Sequence, residues 1–114
     1  MWGSPGYPAS EAYIRAQAEA AYLRGGPKAA GINRQLLATM TAPDRRPALT
    51  ALDLPCCVIH GLDDTLIPPD LGAEIAAHIK GSSHHALKGM GHIITPMLAP
   101  EIVRIVSEFV RQKA

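Results

Sequence analysis

Two short motifs contain the residue types needed for acid–base chemistry. Residues 60–68 read HGLDDTLIP, and residues 88–92 read KGMGH. A carboxylate that binds the Nδ1–H group of an imidazole orients the ring and stabilises the imidazolium formed when Nε2 takes a proton. Asp63 or Asp64 could supply this carboxylate, and His92 could supply the imidazole. The alternative interpretation is a solvated acidic turn and an ordinary loop histidine.

The elements around these motifs are expected to bring them to one edge of a sheet. The apolar run LPCCVIHG over 54–61 is typical of a buried parallel strand, and SHHALKG over 83–89 predicts a second, shorter strand. Helices are predicted over about 70–80 and over 101–113. The order strand, helix, strand, helix predicts an α/β fold with parallel strands, whose following loops lie beyond the same sheet edge.

The chain before residue 52 has a different, helical pattern. Helices are predicted after Ser10, over about 28–41, and in a short stretch after Asp44, which can cap it. No strand pattern is present in this part. We therefore divide the chain into a helical segment, 1–51, and a strand–helix–strand–helix part, 52–114.

The stretch from Leu52 to Val110 resembles the C-terminal part of α/β-hydrolase fold enzymes. In that family one strand ends in HG-x-x-D-x-x-x-P, and a later strand leads to G-x-GH. The matching residues here are His60, Gly61, Asp64, Pro68, Gly89, Gly91 and His92. The resemblance implies that Asp64, rather than Asp63, is the triad acid and that His92 is the general base.

The resemblance has further implications for fold and substrate. The stretch PDRRPALTALDLPCCVIHG is similar to small esterases and haloperoxidase-like hydrolases related to anthracycline methyl esterases, so 1–51 is expected to be the end of a cap with a linker helix. It implies a small apolar ester-like substrate and no cofactor. A pocket near the base could be lined by Leu66, Ile67, Ile93 and Met97, which could equally be ordinary loop packing.

The chain departs from the family in one important way, because it contains no G-x-S-x-G nucleophile elbow. Ser4 lacks the glycine two positions before it, Ser82 and Ser83 precede a strand, and Ser107 lies in a predicted helix. The oxyanion hole is expected to be missing as well. We therefore predict that the chain alone is inactive. It could be a fragment of a hydrolase, half of a split enzyme completed by another chain, a self-associating protein, or a non-catalytic binding and assembly module.

Composition narrows the function classes. The 114 residues carry a net charge of +1 with scattered basic residues, so no nucleic-acid partner is expected. No apolar run reaches the roughly 18–20 residues of a membrane span, and no signal-peptide pattern is present, so we expect a cytoplasmic protein that does not bind membranes. Cys56 and Cys57 are expected to be small strand residues, and the five histidines lack metal-binding spacing.

Overall fold

A computed structural model describes residues 3–26 and 28–113. The elements in chain order are α1 (Glu11–Leu23), α2 (Ala29–Met40), α3 (Arg46–Thr50), β1 (Cys57–Gly61), α4 (Pro69–His78), β2 (Ser83–Leu87) and α5 (Ala99–Lys113). These residues form two compact units. One comprises residues 10–45, and the other comprises residues 3–9 with 46–113.

The unit 10–45 consists of α1 and α2. Helix α1 begins after Ser10, whose Oγ accepts a hydrogen bond of 3.2 Å from the N–H group of Tyr13. It ends before Gly25 and Gly26, whose φ angles of 123° and 54° suit glycine. Neither helix contains a buried residue. The large apolar side chains of these helices, such as Ile14 and Leu37, are therefore exposed.

The second unit is built on a two-stranded parallel sheet. Strands β1 and β2 pair from Cys57 beside Ser83 to Gly61 beside Leu87. The chain is thus mixed α/β with a parallel sheet and flanking helices, as predicted. Strand β1 begins three residues later than expected and is only half-buried up to its final glycine. The half-burial is consistent with β1 having, in the described part of the chain, a neighbouring strand on one side only.

Helix α4 joins the two strands and packs on both of them. Its first residue is Pro69, a position where the missing N–H group costs no helical hydrogen bond. Gly72 is buried against the ring of His60, and a Cβ atom placed there would lie 2.3 Å from Nδ1 of that ring. The glycine therefore sets how closely α4 approaches β1.

Helix α5 follows the loop after β2 and begins at Ala99, two residues earlier than predicted. Thr95 starts this turn: its carbonyl accepts from the N–H group of Ala99 at 2.9 Å, and its hydroxyl accepts from the N–H group of Leu98 at 3.3 Å. Leu98 and Ile105 are fully buried and anchor the helix. No helix in the described chain is both long and apolar enough to cross a bilayer.

Residues 3–9 belong with the sheet unit and not with the helices that follow them. The N–H group of Gly6 donates to the carbonyl of Gly89 at 2.9 Å, and the hydroxyl of Thr95 donates to the carbonyl of Tyr7 at 2.7 Å. Helix α3 also groups with this unit. The observed units therefore differ from a division at residue 51, while the assignment of 1–51 to a cap stays a prediction.

Candidate active site

Asp64 lies in the loop that follows β1, and its carboxylate is almost completely buried, with 6% of the side chain exposed. Oδ1 accepts two hydrogen bonds of 2.9 Å from the backbone N–H groups of Leu66 and Ile67. The carboxylate thus organises its own loop, as aspartates do in tight turns. This leaves Oδ2 available to a partner outside the loop.

The partner is His92, which lies in the loop after β2. Its Nδ1 is 2.9 Å from Oδ2 of Asp64, so a ring protonated at Nδ1 donates to the carboxylate. The register explains this approach: Gly61 and Leu87 are paired at the strand ends, and both loops leave the same edge. The structure therefore brings together the two residues predicted to be the acid and the base.

The environment of Asp64 favours its ionised form. Burial opposes ionisation, but the N–H group of Ile67, the ring of His92 and the N–H group of Leu66 outweigh it and lower the pKa of Asp64 to about 2. The carboxylate is therefore charged throughout the neutral range. A carboxylate that accepts the Nδ1–H hydrogen bond keeps the proton on Nδ1 and lets the imidazole act as a base at Nε2.

Asp63, the other candidate acid, has a separate structural role. Its backbone N–H group donates to the carbonyl of Met90 at 2.9 Å, and its Oδ2 accepts from the N–H group of Gly89 at 2.7 Å. Gly89 has a φ angle of +82°, which favours glycine. Asp63 therefore ties the turn before His92 to the end of β1.

His60 matches the family motif, but the sequence assigns its side chain no role in the site. Its Nε2 lies 3.0 Å from the carbonyl of Ile67 and 3.5 Å from Oδ2 of Asp64, and 13% of its side chain is exposed. The ring of His60 thus contacts the Asp64 loop and stabilises it. The HG dipeptide at the end of the strand is the available signal, but it does not show which way the ring points.

Ser4 is the second residue whose position the sequence does not predict. It is 3% exposed, and its Oγ donates to the carbonyl of Ile93 at 2.6 Å while it accepts from the N–H group of Gly91 at 3.0 Å. The hydroxyl proton is thus engaged by a backbone carbonyl. The sequence excludes Ser4 as an elbow serine and indicates no other role for it.

An open pocket of about 210 Å³ lies beside this pair, lined by the end of β1 and by both loops. Ile67 lines it together with Met90 and His92. Of the other residues predicted to line a pocket, Leu66, Ile93 and Met97 are exposed and lie outside this lining. Their role in a larger pocket stays a prediction.

Histidine, cysteine and acidic side chains elsewhere in the described residues are the other groups that could do chemistry. No cluster of three or more histidine, cysteine or acidic side chains in the described ranges could hold a metal ion. Cys56 and Cys57 are free and half-buried. The chemistry that the described site offers is proton transfer by an imidazole held on a carboxylate.

Comparison with solved structures supports an α/β-hydrolase-like fold for part of the chain. Among solved structures, the chain is similar to an esterase, RhEst1, from Rhodococcus sp. ECU1013, with 26% sequence identity and a TM-score of 0.52. The similarity covers 58% of this chain and 24% of that esterase, so the chain spans about a quarter of the length of its relative. No family model and no curated protein matches the chain.

Proposed function

We propose that this chain provides the acid–base pair of a serine-hydrolase active site that cleaves a carboxylic ester or a similar bond. The observation that carries the proposal is the contact of 2.9 Å between Oδ2 of buried Asp64 and Nδ1 of His92. Similarity to an esterase supports the same class of reaction. A small apolar ester is the substrate class that we expect.

Each residue has a defined role in the proposed mechanism. Asp64 holds the proton of His92 on Nδ1, which leaves the lone pair of Nε2 free to take a proton from a nucleophilic hydroxyl. The resulting imidazolium is stabilised by the carboxylate, whose pKa of about 2 keeps it ionised. The imidazolium then protonates the alkoxide oxygen of the leaving group as the ester C–O bond breaks, which leaves the acyl group on the nucleophile. The same imidazole then takes a proton from the water that hydrolyses this acyl intermediate and gives it to the nucleophile oxygen.

The nucleophile is proposed to come from residues outside this sequence. No serine in the chain lies in a G-x-S-x-G elbow. Ser4 is bonded to loop backbone, Ser10 caps α1, and Ser82 precedes β2 and donates to a helix carbonyl. A complementary chain, or a longer polypeptide that includes this one, would supply the serine and the oxyanion donors.

The free edge of β1 is the proposed place for that complement. In the described chain β1 pairs with β2 alone, so its other edge has backbone groups available to a further strand. A pair of strands without further partners is only marginally stable, and α4 is the one helix that packs on both strands in the described chain. Either a complementary chain or a second copy would satisfy this edge. A monodisperse monomer with slow amide exchange along both strands would argue against any such partner.

A chimera tests the proposed roles directly. The region of the Rhodococcus esterase that aligns with this chain is replaced by the corresponding residues of this chain, and hydrolysis of p-nitrophenyl acetate is measured. Activity should fall by about 10⁴-fold or more with His92→Ala and by about 10⁴-fold with Asp64→Asn. His84→Ala, on the exposed part of β2, is the matched control and should leave the rate unchanged. A folded chimera that keeps its activity in the His92 variant would refute the proposal.

The chain without a complement gives a second test. We expect no turnover of p-nitrophenyl acetate, since a general base without nucleophile and oxyanion hole lacks the covalent route and its electrostatic stabilisation. Turnover that disappears in His92→Ala would contradict this expectation.

A non-catalytic binding or assembly module is the second candidate function. The observation that favours it is exposed apolar surface: Tyr22, Leu23 and Met40 in the unit 10–45 are each about three-quarters exposed. Surfaces of this kind often contact other proteins. An inactive chimera, together with stable self-association of the full chain in analytical ultracentrifugation, would support this alternative over the enzyme.

A further inference from the structure

One hydroxyl group is bonded to the backbone on both sides of His92. Ser4 Oγ accepts from the N–H group of Gly91 at 3.0 Å and donates to the carbonyl of Ile93 at 2.6 Å. The serine is buried, so water does not compete easily for these bonds. Its oxygen therefore fixes the backbone at the residue before the imidazole and at the residue after it.

The segment that carries Ser4 is itself held in place. The N–H group of Gly6 donates to the carbonyl of Gly89 at 2.9 Å, and the hydroxyl of Thr95 donates to the carbonyl of Tyr7 at 2.7 Å. A Cβ atom on Gly6 would lie 2.7 Å from the Cα atom of Gly89, so the two backbones touch. Ser4 is thus presented by a segment that contacts the loop at Gly89 and at Thr95, before and after the loop residues that Ser4 binds.

The loop needs such a constraint because it lies between β2 and α5 and has no ladder hydrogen bonds of its own. Asp63 fixes it as far as Met90 and does not reach the residues that follow. The side chain of His92 is 39% exposed, so packing restrains the ring only in part. Its contact of 2.9 Å with Asp64 weakens steeply if the backbone moves the ring away.

We propose that Ser4 is a positioning residue that holds the imidazole of His92 on Asp64 by fixing the backbone on either side of it. The inference rests on the proposed function for its significance, since a positioned imidazole matters only if His92 is a base. The structural effect of Ser4 can be tested without measuring activity. Without the hydroxyl, the backbone around His92 becomes more mobile and the ring moves away from the carboxylate.

The test is solution NMR of the full chain. In the wild type, the Nδ1 proton of His92 should give a low-field resonance that disappears in Asp64→Asn, which assigns it. In Ser4→Ala this resonance should be lost, and the N–H group of Gly91 should exchange at least about tenfold faster relative to the strand amide of Ile59. Dividing the exchange rate of Gly91 by that of a strand amide corrects for any change in global stability.

Ser82→Ala is the matched control, because Ser82 is partly buried and donates one hydrogen bond of 2.7 Å to the carbonyl of Ala76, away from the loop. It should leave the resonance and the relative exchange rate unchanged. If Ser4→Ala does not fold, Ser4→Cys, which keeps a weak donor and acceptor, should weaken the resonance in a folded chain. A Ser4 variant that folds and retains the full His92 resonance, with unchanged exchange at Gly91, overturns the inference.

The NMR outcome separates this inference from the proposed function. An inactive chimera with a lost resonance in Ser4→Ala refutes the hydrolase proposal and keeps the structural role of Ser4. An active chimera with an unchanged resonance in Ser4→Ala supports the hydrolase proposal and refutes the positioning role of Ser4.

Discussion

Replacement of Gly72 by alanine should destabilise the chain through a single clash with His60. The added Cβ atom would lie 2.3 Å from Nδ1 of the ring, 2.8 Å from its Cγ and 3.0 Å from its Cβ. Rotation of the ring can relieve the first two contacts but not the last. The rotation also removes Nε2 from the carbonyl of Ile67, 3.0 Å away, and from the carboxylate of Asp64.

The expected magnitude combines three contributions. Overpacking in a tightly fitted site costs about 1–3 kcal/mol. Loss of the hydrogen bond from His60 to Ile67 costs about 1 kcal/mol more. Alanine has a higher helix propensity than glycine, which offsets the loss by about 1 kcal/mol inside α4. We therefore expect the free energy of unfolding to fall by about 1–3 kcal/mol.

A double-mutant cycle isolates the clash. In the background of His60→Ala no ring is present, so Gly72→Ala should keep only the propensity gain and stabilise the chain by up to about 1 kcal/mol. The coupling between the two positions should be about 2–4 kcal/mol. Urea unfolding followed by far-UV circular dichroism gives all four free energies.

Gly31→Ala is the matched control for helix propensity. Gly31 lies in α2, and a Cβ atom placed on it would have the tip of Arg34 as its nearest neighbour, 4.0 Å away. This variant should be neutral or stabilising by up to about 1 kcal/mol. A clash with His60 is refuted if Gly72→Ala stabilises the chain as Gly31→Ala does, or if its cost persists when His60 is alanine.

Three further predictions concern the rest of the fold. The pKa of Asp64 is 3.8 in the unfolded chain and about 2 in the folded chain, so between these values the unfolded chain binds more protons. The stability that Asp64 contributes should therefore be present above about pH 4 and be lost as the pH falls towards 2. Urea unfolding between about pH 2 and 5 should show a shallower pH dependence in Asp64→Asn, and equal slopes would contradict this. Gly6→Ala, whose Cβ would lie 2.7 Å from facing backbone, should cost about 1–3 kcal/mol in thermal unfolding, while Gly3→Ala, with open space around it, should cost little. Leu98→Ala should cost about 2–5 kcal/mol, as a fully buried leucine, and comparable losses for exposed Val103→Ala would show that α5 is packed differently.

The sheet could be predicted from local patterns in the sequence, and the pairing of His92 with an acidic residue at 63 or 64 from the order of the elements. Apolar runs that end in glycine predict strands, and the strand–helix–strand order places the following loops together. The choice of Asp64 over Asp63 came from the resemblance to the family motif, and strand order alone leaves both open. The exact ends of β1 and α5 depend on local contacts, such as the two hydrogen bonds that Thr95 accepts before α5, so the predicted starts differ from the observed ones by two or three residues.

The roles of Ser4 and His60 could not be predicted, for two different physical reasons. Ser4 bonds to backbone groups 87 and 89 residues away, and a hydroxyl that binds peptide groups requires no particular residue type at the other end. His60 depends on the direction of its ring, which is set by how closely Gly72 lets α4 approach. The sequence overestimates the burial of β1, since in the described chain β1 has a neighbouring strand on one side only.

The contact between Ser4 and the His92 loop has a consequence for the order of folding. The loop that joins Asp64 to His92 spans 28 residues, whereas the one closed by Ser4 and Gly91 spans 87. Closing the longer loop costs about 1 kcal/mol more in chain entropy. We therefore expect the carboxylate and imidazole to meet early, on a mobile loop, and to become fixed only when the segment around Ser4 docks. Substitutions of Ser4 should accordingly speed unfolding while leaving the rate of folding almost unchanged.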